Sequence, residues 1–353
     1  MKNSAYRILV CLLCIISFQG YTQLDSLVGQ PLYTQHLTLK ETFFGNEEMY
    51  QVCYPKDHRW IFTSIIIFSI VTVILGALII YIKSSTNKKL KEKNNIIAEQ
   101  NKDLIDSINY SLRIQQAILP DKKTEEAVLK NGFVLYKPKN IVSGDFYWLN
   151  RNEDIIYLAI IDCTGHGVPG ALLTMLAYNA INKAVLEKDI SDPTLILDNM
   201  NTNVKEALKQ DKHNTIQDSM EVGVVCFNTT SNQLQFSGAN LALTYIQNGE
   251  LKIANGGKCS VGSVQDSSIE LPKTHTIQLK TGDSFYLYTD GYADQFGGEK
   301  GKKFKYKQLE QLLLANHGKS AREQYAILNA TIDAWKGKLE QVDDISVIGL
   351  KVT

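Results

Sequence analysis

No surplus of charge marks this chain. Its 353 residues carry 37 Lys and Arg against 37 Asp and Glu. Bulk electrostatics gives no attraction to nucleic acid, and none is expected as a partner. Cysteine is scarce and scattered, at Cys11, Cys14, Cys53, Cys163, Cys226 and Cys259. Outside the first apolar block no two of these form a C-x-x-C pair, so neither a zinc spacing nor a disulfide framework can be read. No glycine-rich ATP lid follows a phosphoacceptor histidine, which sets aside a membrane histidine kinase. A Gly-Gly-Asp/Glu-Glu-Phe turn is also missing, which sets aside a nucleotide cyclase of that type. Gly and Pro are absent from residues 84–119, so nothing there breaks a helix.

Long apolar runs are confined to the first 82 residues. Lys2 and Arg7 precede an apolar run at 8–18, and small or polar residues follow at 20–23. These are the parts of a signal peptide over residues 1–22. Such a run reaches only about 16 Å as a helix, against a hydrocarbon core of about 30 Å. A retained short signal anchor is the alternative. Residues 60–82 form a second run, 23 residues long and free of charge. That length spans a bilayer, and Trp60 and Tyr81 stand where interfacial rings are favoured. Lys83, Lys88, Lys89, Lys91 and Lys93 follow the run, whereas only Lys56 and Arg59 lie just before it. The excess places the C-terminal side in the cytoplasm. The expectation is an inner-membrane protein, single-pass after signal cleavage, with a short extracytoplasmic segment at 23–59.

Residues 83–119 read as a helical linker. Leu90, Ile97 and Leu104 recur every seven residues, Ile108, Leu112 and Leu119 continue the stripe, and Pro120 ends it. One reading is a single amphipathic helix lying on the following domain. The favoured reading is a parallel two-stranded coil that makes a homodimer.

From residue 120 to 353 the pattern changes. Short β-branched and aromatic runs, among them 132–136, 146–149, 155–161, 221–227, 233–237, 241–247, 274–279, 284–288 and 345–352, are bounded by turns. Helical stretches fall near 168–187, 193–209, 306–315 and 320–337. Short polar turns between consecutive strands predict antiparallel hairpins, and hence α+β layers rather than a doubly wound sheet.

Four acidic motifs stand at strand edges. They are Ser143-Gly144-Asp145-Phe146, Asp162-Cys163-Thr164-Gly165-His166-Gly167, Thr289-Asp290-Gly291, and Asp343-Asp344-Ile345-Ser346. A single aspartate at the end of a buried strand is usually a turn or cap. Four of them would repel one another unless cations sit between, and oxygen-only donors select hard ions. Glycines at 144 and 291 let the backbone come close.

In this order, together with Ser237-Gly238-Ala239-Asn240, the motifs resemble the sporulation-type branch of the metal-dependent serine/threonine protein phosphatases. The resemblance covers about 118–353, and the lead-in Ile108-Asn109-Tyr110…Ile114-Gln115…Ile118-Leu119-Pro120 looks like the helix that precedes this domain in membrane-linked members. It implies a PP2C-like αββα sandwich of two antiparallel sheets flanked by helices. It implies two Mn²⁺ or Mg²⁺ ions held by Asp145, Asp162, the backbone carbonyl of Cys163, Asp290 and Asp343, with Asp344, Gly144 and Gly291 in support. Two such ions can lower the pKa of a water and neutralise phosphoryl charge, so no nucleophilic Cys or Ser is needed. His166 is the candidate general acid for the leaving oxygen, its other reading being a residue of the strand-to-helix turn. The implied substrate is phosphoserine or phosphothreonine on a cytoplasmic regulatory protein, often an anti-sigma-antagonist domain.

Departures from the pattern touch substrate preference. Cys163-Thr164 stand where relatives often have Val-Ser, and residues 256–262 are a loose version of a glycine loop. No arginine lies near the first motif, which leaves Lys139 or Lys137 for the substrate phosphate. A catalytically silent binding module is the alternative function. Its signature would be loss of one metal aspartate, and all four are present.

Overall fold

The structure is a computed structural model that describes residues 59–209, 218–263 and 272–353. The expected signal peptide and nearly all of the extracytoplasmic segment lie outside the described residues. The described residues divide into two units at Ile97 and Ala98.

A single helix, α1, runs over Arg59–Ile118. Its first part is the one described helix long and apolar enough to cross a membrane. Four hydroxyls there bond back onto the helix: Thr63 and Ser64 donate to the Trp60 carbonyl, Ser69 to Ile65 and Thr72 to Ser69. Each Ser and Thr hydroxyl of the segment is thereby satisfied by the helix backbone. Leu90, Ile97 and Leu104 are all exposed along the helix.

The second unit is built in four layers. One sheet has the order β2-β3-β4-β5-β8, from β2 (Asp145–Asn152), β3 (Ile155–Cys163), β4 (Met220–Asn228), β5 (Gln233–Ala239) and β8 (His275–Gln278). The other has the order β1-β12-β9-β6-β7, from β1 (Gly132–Lys137), β12 (Ile345–Lys351), β9 (Ser284–Tyr288), β6 (Leu243–Gln247) and β7 (Glu250–Ala254). All pairings within both sheets are antiparallel. The expected αββα sandwich is present.

Side-chain alternation assigns the faces. Phe146, Trp148, Ala159 and Ile161 join a core with helices α3 (Val168–Asn182) and α4 (Pro193–Leu208). Their neighbours Tyr147, Leu149, Leu158 and Ile160 meet Phe285, Leu287, Ile348 and Leu350 between the sheets. Tyr286, Tyr288 and Val347 face α6 (Tyr306–Asn316) and α7 (Ala321–Lys336). Both core-facing sides of each sheet are apolar, which explains the near-continuous apolar strands.

Some elements differ from expectation. Helix α2 (Lys122–Val128), the single turn α5 (Gly291–Asp294) and the β10–β11 hairpin (Phe296–Gly297, Lys302–Lys303) are too short to leave a periodic signal. The expected helix at 168–187 is α3 followed by a π-helical turn at Lys183–Glu187. The expected strand at 241–247 starts only at Leu243, because Asn240 turns at φ +58° first.

Candidate metal centre

One end of the cleft between the sheets collects the acidic motifs. β2 begins there, β3 ends, β4 begins, β9 ends and β12 begins. The strand register pairs Asp145 with Asp162, and Asp162 with Glu221. Three carboxylates thus stand in a row across three strands, on the face turned toward the other sheet. Like charges directly opposite on neighbouring strands destabilise a sheet, so the row calls for compensation.

Asp145 is only 2% exposed. Its Oδ2 accepts hydrogen bonds from Thr289 Oγ1 at 2.8 Å and Ser346 Oγ at 2.6 Å. Thr289 follows β9 and Ser346 lies in β12, so the carboxylate of one sheet is held by hydroxyls of the other. Burial still pushes Asp145 far above the usual carboxylate range, with Asp344 and Asp343 adding to it. Asp162 is raised likewise, first by burial and then by the charges of Asp145, Asp290 and Asp343. Asp290 is pushed up to about 6 by burial, then by Asp343, Asp294 and Glu221, while Lys303 pulls it back.

Asp344 holds the loops. Its Oδ1 accepts from the Lys139 N–H at 2.6 Å and its Oδ2 from the Gly144 N–H at 2.8 Å. Its own N–H donates to Asp343 Oδ1 at 2.8 Å. Glycine is required at two of the expected positions. A Cβ on Gly144 would strike the Gly165 carbonyl, and one on Gly291 would strike the Asp344 carbonyl. Cys163 turns its thiol into the helix-side core, so its backbone is what remains toward the cleft.

His166 lies on an exposed turn between Gly165 and Gly167, at φ +84° and +69°. Its Nδ1 is 2.9 Å from Asn140 Oδ1. Lys139, next to Asn140 in the chain, is partly buried and contributes its N–H to Asp344. Lys137 is committed elsewhere: its Nζ bonds Asn329 Oδ1 at 2.8 Å and Asp333 Oδ1 at 2.7 Å on α7.

Glu221, Lys303, Thr289 and Ser346 join the site beyond the residues expected from sequence. Thr289 and Ser346 belong to the acidic motifs themselves, and adjacency to an aspartate is the signal that marks them. Glu221 has no local signature. Its place opposite Asp162 follows from register alone.

The donor set fits divalent cations. Four aspartates gather at one cleft end, three of them driven toward protonation by burial and mutual repulsion. A cation between such groups reverses both effects. Among the described residues no three His, Cys, Asp or Glu side chains are drawn around one point. Mg²⁺-type sites do not need such a cage, since the ion keeps several waters and takes one or two carboxylates.

Comparison with known proteins decides the family. The family described as Stage II sporulation protein E (SpoIIE) matches residues 152–353. This chain belongs to the SpoIIE family. The match contains three of the four acidic motifs, and the Asp145 motif lies just before it. Phosphoserine phosphatase RsbU of Bacillus subtilis (strain 168) is 26% identical over 192 residues. The chain spans about half of that relative, 53% of each protein being covered. The SiaA-PP2C domain of Pseudomonas aeruginosa is 32% identical, with a TM-score of 0.65, over 72% of this chain and 98% of that domain. The PP2C domain of SpoIIE from Bacillus subtilis, with a fragment of its regulatory domain, shares the fold at 15% identity. Its TM-score is 0.50, over 63% of this chain and 61% of that one. The second unit thus has the fold of a PP2C-type domain.

Proposed function

We propose that this SpoIIE-family member is a membrane-anchored, metal-dependent protein phosphatase acting on phosphoserine or phosphothreonine of a cytoplasmic regulatory protein. The observation that carries this reading is the pair of buried Asp145 and partly buried Asp162, placed directly opposite each other on β2 and β3. Asp145, Asp162, Asp290, Asp343 and the Cys163 carbonyl would hold two Mn²⁺ or Mg²⁺ ions. Bound there, the ions supply an activated water and neutralise charge on the phosphoryl oxygens.

The protein's own residues do the rest. Thr289 and Ser346 fix one carboxylate oxygen of Asp145, which leaves the other free as a donor. Asp344 fixes the backbone at Gly144 and Lys139. His166 donates its Nδ1–H to Asn140 Oδ1, and in its doubly protonated form it would give the Nε2 proton to the leaving oxygen. Lys139 is the assigned cation for the substrate phosphate. Relatives of the RsbU kind point to a phosphoprotein substrate, here an anti-sigma-antagonist-like domain. The domain scheme follows: signal peptide 1–22, outer segment 23–59, span 60–82, linker 83–119 and phosphatase 120–353. Pairing of the exposed Leu90, Ile97 and Leu104 stripe would make a homodimer.

The test is hydrolysis of a generic phosphate ester by the full-length chain in detergent, with Mn²⁺ and with chelator. Turnover that appears only with metal supports the reading. Metal-independent turnover, or none in either condition, contradicts it.

A further inference from the structure

Gln115 lies in the last turn of α1 and is 2% exposed, in a stretch otherwise rich in charged and polar surface residues. Its amide is fully used. Oε1 accepts from the Ser143 N–H at 3.1 Å. Nε2 donates to the Ser143 carbonyl at 2.7 Å and to Thr174 Oγ1 at 3.2 Å. Thr174 is itself buried in α3 and donates its proton to the Ala171 carbonyl at 2.7 Å, so toward Gln115 it can only accept. The partners fix the amide orientation, because a backbone N–H only donates and a carbonyl only accepts.

Ser143 opens the three-residue segment that delivers Asp145, and every backbone polar group of that segment has a partner. Gln115 takes both groups of Ser143. The Gly144 N–H goes to Asp344 and the Gly144 carbonyl accepts from the Cys163 N–H. The Asp145 N–H goes to Ser143 Oγ and its carbonyl accepts from the Tyr136 hydroxyl. An ordinary ladder would use a neighbouring strand for these bonds. Here β3 supplies one of the six bonds and four side chains supply the other five, and the first of these side chains belongs to the helix preceding the domain.

From this we propose that Gln115 is a positioning residue for the metal centre: it fixes the start of β2, and so Asp145, to the last turn of α1 and to α3. The inference rests on the phosphatase reading only for the identity of what Asp145 binds. The clamp itself is made by the chain's own groups alone.

The test uses the full-length chain in detergent micelles and two readouts besides turnover. The first is hydrogen exchange over residues 142–146 without metal. The second is Mn²⁺ affinity from loss of the free-ion electron paramagnetic resonance signal. Gln115→Met keeps length and apolar contact and removes all three bonds. It should speed exchange at Ser143 by about tenfold or more and weaken Mn²⁺ binding by about tenfold, the scale of losing net hydrogen bonds in a buried site. Substrate KM at saturating metal should stay within about twofold, because uniform substrate binding is untouched. Thr174→Val, which removes one acceptor, should give a smaller change in the same direction, and Thr174→Ser should restore it. If Gln115→Met does not fold, the Thr174 pair decides. Folded variants with wild-type exchange and wild-type Mn²⁺ affinity overturn the inference. Failure of the wild-type chain to bind Mn²⁺ overturns instead the phosphatase reading, while the exchange arm still reports on the clamp.

Discussion

The two ends of helix α1 invert the usual rule in opposite ways. Near its start, Phe62 and Ile80 are 66% and 70% exposed, and near its end Gln115 is 2% exposed. Exposed large apolar residues in a row and a buried amide would each be a fault in an ordinary surface helix. Each is explained by what surrounds it. The first end has hydrocarbon as its expected solvent, and its hydroxyls are closed onto the helix backbone. The second end has the strand that carries Asp145, whose backbone groups the amide completes. One helix therefore reads as anchor at one end and as part of the catalytic scaffold at the other.

The largest expected effect lies at the carboxylates. Asp162→Asn and Asp290→Asn should each abolish nearly all turnover while the fold survives. Retention of more than about a tenth of wild-type turnover, under about 1.4 kcal/mol of barrier, would remove the residue from the ligand set. Kinetics with a phosphate ester at saturating Mn²⁺ measures this.

A charge in the anchor should come next. Leu75→Arg near the middle of the apolar run adds about 2.5–3.5 kcal/mol to insertion. It should move much of the protein from the membrane fraction to the soluble or degraded fraction. Unchanged membrane recovery after carbonate extraction would break the anchor half of the comparison.

The third effect concerns pH. Asp290, Asp145 and Asp162 have folded-state pKa values above their unfolded ones, because burial disfavours the charge. The folded state then holds more protons than the unfolded state. Their contribution to stability is complete below about pH 4, the ordinary carboxylate pKa, and is lost as pH rises. For Asp290 the loss is complete once pH passes about 6, and for Asp145 and Asp162 it continues above that. In chelator, the melting midpoint should therefore fall between pH 5 and pH 8 more than it does in Asp162→Asn. Added Mn²⁺ should reverse the fall, since deprotonated ligands bind it better. A metal-free midpoint with the same pH slope in wild type and variant would show that these carboxylates are not strained.

Smallest of all is the linker. Ile97→Lys combined with Leu104→Lys should shift a dimer toward monomer in sedimentation, with no change in the metal affinity of the domain. Equal sedimentation would leave the exposed stripe without a pairing role.

The sequence made the site legible wherever its chemistry was local. Aspartates at the ends of apolar strands, next to glycine, point to charge at a buried edge, and Asp145, Asp162, Asp290 and Asp343 do gather at one end of the cleft. The two sheets were legible too, since strands such as 155–161 are apolar on both faces and must be covered twice. What could not be read is set by register and distance. Glu221 opens a strand like any other until β4 is aligned on β3. Gln115 is one polar residue in a polar stretch until it meets Ser143, 28 positions away. Lys137 and Lys139 look equivalent in the chain, and only the packing of α7 separates them.

The central claim is that the row at the mouth of the cleft is a two-cation site. Calorimetric titration of Mn²⁺ into the full-length chain in detergent, freed of metal beforehand, tests it most directly. The account predicts two ions per chain for the wild type and loss of at least one in Asp162→Asn at unchanged fold. No specific binding to the folded wild-type chain, or binding identical in the two proteins, would contradict it.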